Sequence, residues 1–251
     1  MTRQEANFSL ATTKNDLVQI FKSLDSIVED ATFTLDSEGL MCRTMDPSHV
    51  SMLDIAIENR DFIEYNIIEK QSFSLNVREF LSVLKELDKN GVIEITIKKD
   101  DIKLSQNGFN FNIVKKEPES NDWPIPKIQY DTEIQFNGIS NSDLLKTCKK
   151  INSMSDYITF ESSDNNVLLS GSGNNGKTDI SFDKSKILIQ NKADSISTYS
   201  LEYIIPFLKS VTKDTKIKME YASTKPLKIS TSIGVQMYSR IHYYLAPRVE
   251  N

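Results

Sequence analysis

The residues that most resemble a chemical motif lie between Gly171 and Thr178, where GSGNNGKT fits the pattern G-x-x-x-x-G-K-T. In nucleotide hydrolases this loop binds phosphates through its backbone amides and its lysine, and a helix must follow the lysine directly. The next residues instead alternate apolar and polar types, in TDISF and again in KILIQ, which predicts strands. We therefore interpret the stretch as a hairpin turn. A nucleotide hydrolase that uses Lys177 stays as an alternative.

Other residues capable of catalysis are sparse. The two histidines, His49 and His242, have no partner at catalytic or metal-ligand spacing, and Cys42 and Cys148 lie far apart. The motifs G-x-S-x-G, H-E-x-x-H and C-x-x-C do not occur. The sequence thus favours a binding protein over an enzyme, with no metal and no cofactor.

The composition of the 251 residues is that of a globular protein, with 39% hydrophobic and 26% charged residues. No apolar run approaches the roughly 20 residues of a membrane span, and MTRQEANFSL does not read as a signal peptide. Two distant cysteines indicate a reduced intracellular compartment. A net charge of −5 does not exclude nucleic acid, because a whole-chain sum hides where the charges lie.

The chain repeats itself. The pattern of helix, strand, turn and strand between Leu17 and Asp46 recurs 127 residues later, and FSLNVREFLSVLKEL aligns with STYSLEYIIPFLKSV at a shift of 124. A proline-rich stretch separates the copies and is typical of an extended connector. These features predict an α+β protein of two topologically similar domains, 1–116 and 133–251, joined by a connector at 117–132.

Basic residues concentrate on the polar faces of the predicted amphipathic helices at 76–88, 142–154 and 201–212. The first helix is the least basic, with Lys14 and Lys22 but also Asp25 and Glu29. Any one such face is compatible with an ordinary solvated surface. Together they favour a surface for the phosphates of double-stranded DNA, bound without reading its sequence. The candidate DNA-binding residues are Lys14, Lys22, Arg78, Lys85, Lys146, Lys149, Lys150, Lys209 and Lys213.

Several segments resemble the sliding clamps of the proliferating cell nuclear antigen (PCNA) family, in the family's order and over nearly the whole chain. They are LDSEGL from Leu35, MDPSHVSML from Met45, WPIP from Trp123, TKPLKIS from Thr224 and YYLAPR from Tyr243. The resemblance implies the DNA clamp fold, in which three subunits close a ring with helices lining the inside and sheets outside. Ring closure would join edge strands near 108–116 and 177–185.

The resemblance also implies an apolar pocket under the connector for short peptides of partner enzymes. Those partners would be the replicative DNA polymerase, the clamp loader, flap endonuclease and DNA ligase. The pocket residues would be Met45, His49, Val50, Met52, Ile125, Pro126, Tyr130, Pro226, Tyr244, Ala246 and Pro247. A non-enclosing adaptor with the same peptide groove is the alternative function.

One departure from the family bears on the source. The loop whose lysine eukaryotic members modify reads Ser163-Asp164-Asn165 and contains no lysine. This favours an archaeal relative, which would place the protein at the cytoplasmic nucleoid, whereas a eukaryotic one would act in the nucleus.

Overall fold

The computed structural model describes residues 8–119, 123–130, 132–163, 166–174, 176–182, 187–190 and 194–248. Within these ranges four α-helices form: α1 Lys14–Asp25, α2 Val77–Glu86, α3 Asn141–Asn152 and α4 Leu201–Ser210. The strands of the first half are β1 Phe8–Thr13, β2 Asp30–Leu35, β3 Gly39–Met45, β4 Ser51–Glu58, β5 Glu64–Asn66, β6 Gln71–Asn76, β7 Val92–Ile97, β8 Asp101–Gln106 and β9 Phe109–Val114. Those of the second half are β10 Thr132–Ser140, β11 Tyr157–Ser163, β12 Asn166–Gly173, β13 Gly176–Ser181, β14 Ile187–Gln190, β15 Ser195–Ser200, β16 Lys216–Tyr221, β17 Leu227–Ile233 and β18 Ser239–Leu245.

The predicted repeat is confirmed by the helix boundaries. Helix α3 begins 127 residues after α1, and α4 begins 124 residues after α2. The starts follow from capping residues: the side chains of Thr13, Asn76 and Ser140 each accept a hydrogen bond from the backbone N–H three residues on. Such caps satisfy amides that have no partner inside the helix.

The chain divides into two compact units. Unit 1 comprises residues 1–44, 54–123 and 232–241, and unit 2 comprises 45–53, 124–231 and 242–251. Each unit is built from three separate stretches of the chain, and the divisions at 53/54 and 241/242 fall inside β4 and β18. The domain boundaries expected at 116/117 and 132/133 stay a prediction.

Unit 1 contains a five-stranded sheet in the order β5-β1-β7-β8-β9 and the strand series β6-β2-β3. Helices α1 and α2 pack their apolar faces together, and the rings of Phe21 and Phe80 stack with centroids 3.8 Å apart. Phe33 joins this core from β2. The two helices therefore bury one face and leave the opposite, charged face to solvent.

Unit 2 has a corresponding arrangement, with a four-stranded sheet β13-β12-β11-β15 and the series β14-β10-β16-β17. Its core holds a stacked pair, Phe207 and Tyr243, with centroids 4.4 Å apart. The end of α4 is fixed by Asn141, whose buried side-chain amide donates to the backbone oxygens of Leu208 and Val211. The helix consequently ends at Ser210.

The connector region has neither helix nor strand over 117–119 and 123–130. It begins beside β6, where Lys116 and Ser74 exchange backbone hydrogen bonds. Residues 120–122 and 131 of the predicted connector lie outside the described residues, as do Asp164 and Asn165 of the predicted second turn. No helix of the described chain is both long and apolar enough to cross a membrane.

Candidate DNA and partner-binding sites

The turn between β3 and β4 is organised by one buried carboxylate, that of Asp46. Its Oδ1 accepts hydrogen bonds from the backbone N–H groups of Val50, at 2.8 Å, and Ser51, and its Oδ2 accepts from the N–H of Ser48. His49 has a φ of 57°, a left-handed conformation that side chains other than glycine seldom adopt. The result is an exposed His49 and a half-buried Val50 held in one arrangement.

The C-terminal segment lies against this turn. The backbone N–H of Ala246 donates to the oxygen of Val50 at 2.8 Å. Tyr244 is buried. The pKa of the Tyr130 hydroxyl is raised, mainly because the group is partly buried and in smaller part because of the charge on the nearby Tyr244. Two parts of the predicted pocket, the turn before β4 and the segment after β18, thus meet directly in unit 2.

The remaining predicted pocket residues also belong to unit 2. Ile125 has an exposed fraction of 44%, while Met45, Pro126, Pro226 and Pro247 are half-buried. Met52 is only 2% exposed, so it supports the site from the core rather than facing solvent. The predicted pocket therefore combines apolar side chains that are partly exposed with one that is buried in the core.

The cations of unit 1 differ in availability. Lys14 donates from its Nζ to the backbone oxygen of Leu87, at the end of α2. Arg78 pairs with Asp25 through its Nε at 3.0 Å. Lys22 and Lys85 are exposed, and neither has an ion-pair partner within the part of the chain that is described. Half of the predicted cations in this unit are therefore already engaged.

The cations of unit 2 are more open. Lys149, Lys150 and Lys209 are exposed on α3 and α4, and the described residues hold no ion-pair partner for them. Lys146 is 3.5 Å from Asp143, one turn back on the same helix. Two lysines near the end of α3 also interact favourably with the helix dipole.

The placement of Lys213 on a helix is wrong. Helix α4 ends at Ser210 because Asn141 binds the last carbonyls, so Lys213 lies in the turn that follows. It remains exposed, and its backbone oxygen accepts from the N–H of Ser142 at the start of α3. Its backbone therefore lies beside the start of α3.

Two strands lie at sheet edges where the resemblance implied subunit contacts. Strand β9 occupies Phe109–Val114 within the expected 108–116, and its first residue, Phe109, is 64% exposed. Strand β13 occupies Gly176–Ser181 of the expected 177–185, of which residues 183–185 lie outside the described part. Edge strands of this kind present backbone groups to which another strand can pair.

The phosphate-loop interpretation fails on geometry. Lys177 lies within β13, so the predicted strand is confirmed and no helix follows the lysine. The glycines have a packing role instead. A Cβ on Gly171 would lie 2.4 Å from Ile151 Cγ2, and a Cβ on Gly173 would lie 2.0 Å from the oxygen of Met154. Both glycines allow β12 to approach the end of α3 closely. Asn175 lies outside the described residues.

Two important residues were missed among the site candidates. Asp46 was not assigned a role, although an aspartate followed by Pro-Ser is a signal for a turn capped by its side chain. The contact of Arg248, whose guanidinium carbon lies 3.9 Å from the centre of the Tyr157 ring, gives no signal in the sequence, because the two residues are 91 positions apart.

Comparison with known proteins gives consistent matches along the chain. Residues 4–134 match the family model "Proliferating cell nuclear antigen, N-terminal domain", and residues 124–248 match the corresponding C-terminal domain. A "DNA polymerase sliding clamp" of Nitrosopumilus maritimus is 37% identical over 243 residues, covering 94% of this chain and 96% of the relative. One of the same name from Cenarchaeum symbiosum is 33% identical, covering 97% and 99%.

Solved structures share the fold at lower identity. The A. fulgidus PCNA bound to the C-terminal region of FEN-1 superposes with a TM-score of 0.89 at 17% identity, covering 97% of this chain and 99% of the other. A subunit of the PCNA2-PCNA3 complex from Sulfolobus tokodaii gives 0.82 at 21% identity, covering 96% and 100%. The α+β architecture inferred from the sequence is thereby confirmed.

Proposed function

Because this chain belongs to the PCNA family of DNA polymerase sliding clamps, we propose that three copies of it close a ring around duplex DNA. The ring tethers the replicative polymerase, flap endonuclease and DNA ligase through short peptides, and a clamp loader places it on DNA. Its own role is binding and tethering, without catalysis. The archaeal relatives favour a site of action at the cytoplasmic nucleoid.

The observation that carries the partner-binding part is the junction of Val50 and Ala246. Their backbone hydrogen bond of 2.8 Å brings the Asp46 turn against the C-terminal segment. The partly exposed apolar residues Ile125 and Pro126 belong to the same unit. A rigid apolar site of this kind suits the aromatic anchors of a short peptide, because little ordering entropy is lost on binding.

The DNA-facing part of the proposal rests on charge. The exposed lysines of α3 and α4 have few competing acids, whereas in unit 1 Lys14 and Arg78 are engaged by Leu87 and Asp25. Sequence-independent binding to phosphates needs cations whose donor groups are not already held by other partners. We therefore assign the larger share of phosphate contacts to Lys149, Lys150 and Lys209.

Ring closure would use the exposed edges of β9 and β13. Each is the outermost strand of its sheet, and Phe109 adds a large exposed apolar side chain to the first. An antiparallel or parallel pairing of one copy's β9 with another copy's β13 would satisfy both edges. Repetition of one such contact around an axis gives a closed ring.

The first experiment is a measurement of solution mass by light scattering at micromolar concentration, with and without a short polymerase-tail peptide. The expected result is a mass near three times 28.6 kDa and saturable peptide binding. A matched peptide with its aromatic anchors changed to alanine should not bind. A monomer that binds the peptide would favour a mixed ring or the non-enclosing adaptor, and a monomer that binds nothing would refute the proposal.

A further inference from the structure

The last residues of the described chain are held at two backbone positions. After β18 ends, the N–H of Ala246 donates to the oxygen of Val50, and the N–H of Arg248 donates to the oxygen of Thr198 on β15, each at 2.8 Å. Pro247 lies between them and has no N–H to contribute. The segment is thus attached on one side to the Asp46 turn and on the other to an edge strand.

The side chain of Arg248 makes a third attachment. Its guanidinium carbon lies 3.9 Å from the centre of the ring of Tyr157, the first residue of β11. A guanidinium over an aromatic face is attracted by the ring's electrons and covers part of its apolar surface. Arg248 is otherwise exposed, so this contact is what directs its side chain back onto unit 2.

Chain ends lose order unless something fixes them. Ala246 and Pro247 belong to the proposed peptide site, but neither has a side chain large enough to anchor the segment by its own packing. An unfixed segment would have to be ordered by the incoming peptide, and that cost would lower its affinity. Arg248 directly follows these two residues. Its contact with Tyr157 orders the segment before a peptide arrives, so that the peptide does not have to supply the free energy of ordering.

We infer that Arg248, stacked on Tyr157, is a positioning residue of the partner-peptide site: it holds Ala246 and Pro247 in the conformation that a partner peptide binds. This inference rests on the proposed function. Arg248 itself does not need to touch the peptide. Its effect passes through the hydrogen bonds of the segment to Thr198 and Val50.

The test is a set of variants assayed for binding of a polymerase-tail peptide by fluorescence anisotropy. Arg248→Ala and Tyr157→Leu are each expected to weaken binding about three- to fivefold, the size expected for an exposed cation–π contact. The double variant should bind no more weakly than either single one, because both remove the same contact. Tyr157→Phe keeps the aromatic ring and should bind like the wild type.

A matched control exists in unit 1, where the guanidinium of Arg60 lies 4.2 Å from the centre of the Tyr238 ring. Arg60→Ala removes the same kind of contact in the other unit, whose residues are not part of the proposed peptide site, and should leave peptide affinity unchanged. Amide hydrogen exchange at Ala246 supplies a second readout. Arg248→Ala should accelerate it, whereas a general loss of stability would accelerate exchange in the core of unit 2 as well.

Unchanged peptide affinity in Arg248→Ala, or an equal loss in Arg60→Ala, would overturn the inference. Additive losses in the double variant would also overturn it, since they would mean that the two residues act separately. A wild-type protein that binds no peptide would instead refute the proposed function. In that case the exchange rate at Ala246 would still show whether Arg248 orders the segment.

Discussion

The Oδ1 atom of Asp46 accepts a hydrogen bond from the backbone N–H of Val50 at 2.8 Å and so closes the turn that presents His49. Because the oxygen of Val50 in turn accepts from Ala246, one buried carboxylate organises both the turn and its contact with the chain's end. The proposed peptide site therefore includes a polar network centred on a buried carboxylate.

Replacement of Asp46 by alanine should leave three backbone amides without this partner, among them the buried amide of Ser51, at a cost of about 1–3 kcal/mol in the free energy of unfolding. It should also weaken peptide binding on the order of tenfold. Asp36→Ala is the control, because Asp36 caps the turn before β3 in a similar way, through the N–H of Glu38 at 2.8 Å. Urea unfolding and anisotropy measure the two effects. Equal loss of peptide affinity in both variants would contradict the assignment.

The left-handed conformation of His49 predicts a dependence on the type of residue placed there. His49→Asn keeps a residue that tolerates φ near 57°, whereas His49→Val introduces a β-branched residue that does not. We expect the valine variant to be about 1–2 kcal/mol less stable than the asparagine variant in urea unfolding. The same pair of substitutions at exposed Ser48, which has no positive φ, should differ much less.

Arg78 is paired with an acid whereas Lys149 and Lys209 have no such partner among the described residues, so we expect substitutions of the two lysines to weaken DNA binding more than substitution of Arg78. Lys149→Ala combined with Lys209→Ala should lower affinity for duplex DNA and reduce the slope of log K against log salt by about 0.9 for each phosphate that is no longer bound. Arg78→Ala should do less, because its charge is already paired with Asp25 at 3.0 Å. Salt titrations by anisotropy give both slopes. A larger effect from Arg78→Ala would place the phosphate contacts mainly in unit 1.

Ring closure through β9 predicts that Phe109→Ser lowers the mass in solution from trimer towards monomer. The side chain is 64% exposed, so its removal should change the thermal stability of the single chain little. Val92→Ser, at a position 45% exposed on β7 of the same sheet, is the control and should remain trimeric. Light scattering at several concentrations distinguishes them, and a trimeric Phe109→Ser variant would argue against this interface.

The two buried cysteines should react slowly with alkylating reagents in the folded protein. Burial raises the pKa of the Cys42 thiol, with a smaller contribution from the charge of Asp54, and burial raises that of Cys148; both reach about 12 from an ordinary 9.0. Since the thiolate is the reactive form, iodoacetamide at pH 8 should modify the folded protein slowly and the urea-unfolded protein quickly.

The same two thiols predict a loss of stability in base. The unfolded chain ionises them near pH 9 while the folded chain keeps them neutral, so their contribution to the free energy of unfolding is complete below pH 9. It should fall as the pH rises from 9 towards 12. Urea unfolding at several pH values measures the effect. A Cys42→Ala, Cys148→Ala variant should lose less stability over the same range.

Features that depend on near neighbours were predictable from the sequence. The helix starts at Lys14, Val77 and Asn141 follow from caps three residues away from the amides they bind. The strand after Lys177 follows from alternation over five residues. Both kinds of signal lie within a few positions along the chain, which is the range over which periodicity and capping act.

Contacts between distant positions were decided by the tertiary structure. Nothing in the pattern around Lys14 or Arg78 indicates that Leu87 and Asp25 engage them, and Lys213 leaves α4 because Asn141, about 70 positions earlier, binds the last carbonyls of the helix. Likewise the role proposed for Arg248 depends on its contact with Tyr157. The amino-acid sequence by itself determined the repeated α+β plan and which faces carry charge, since these depend on local periodicity. Which charges remain available, and which residues lie around the proposed peptide site, depended on how the folded chain brings distant segments together.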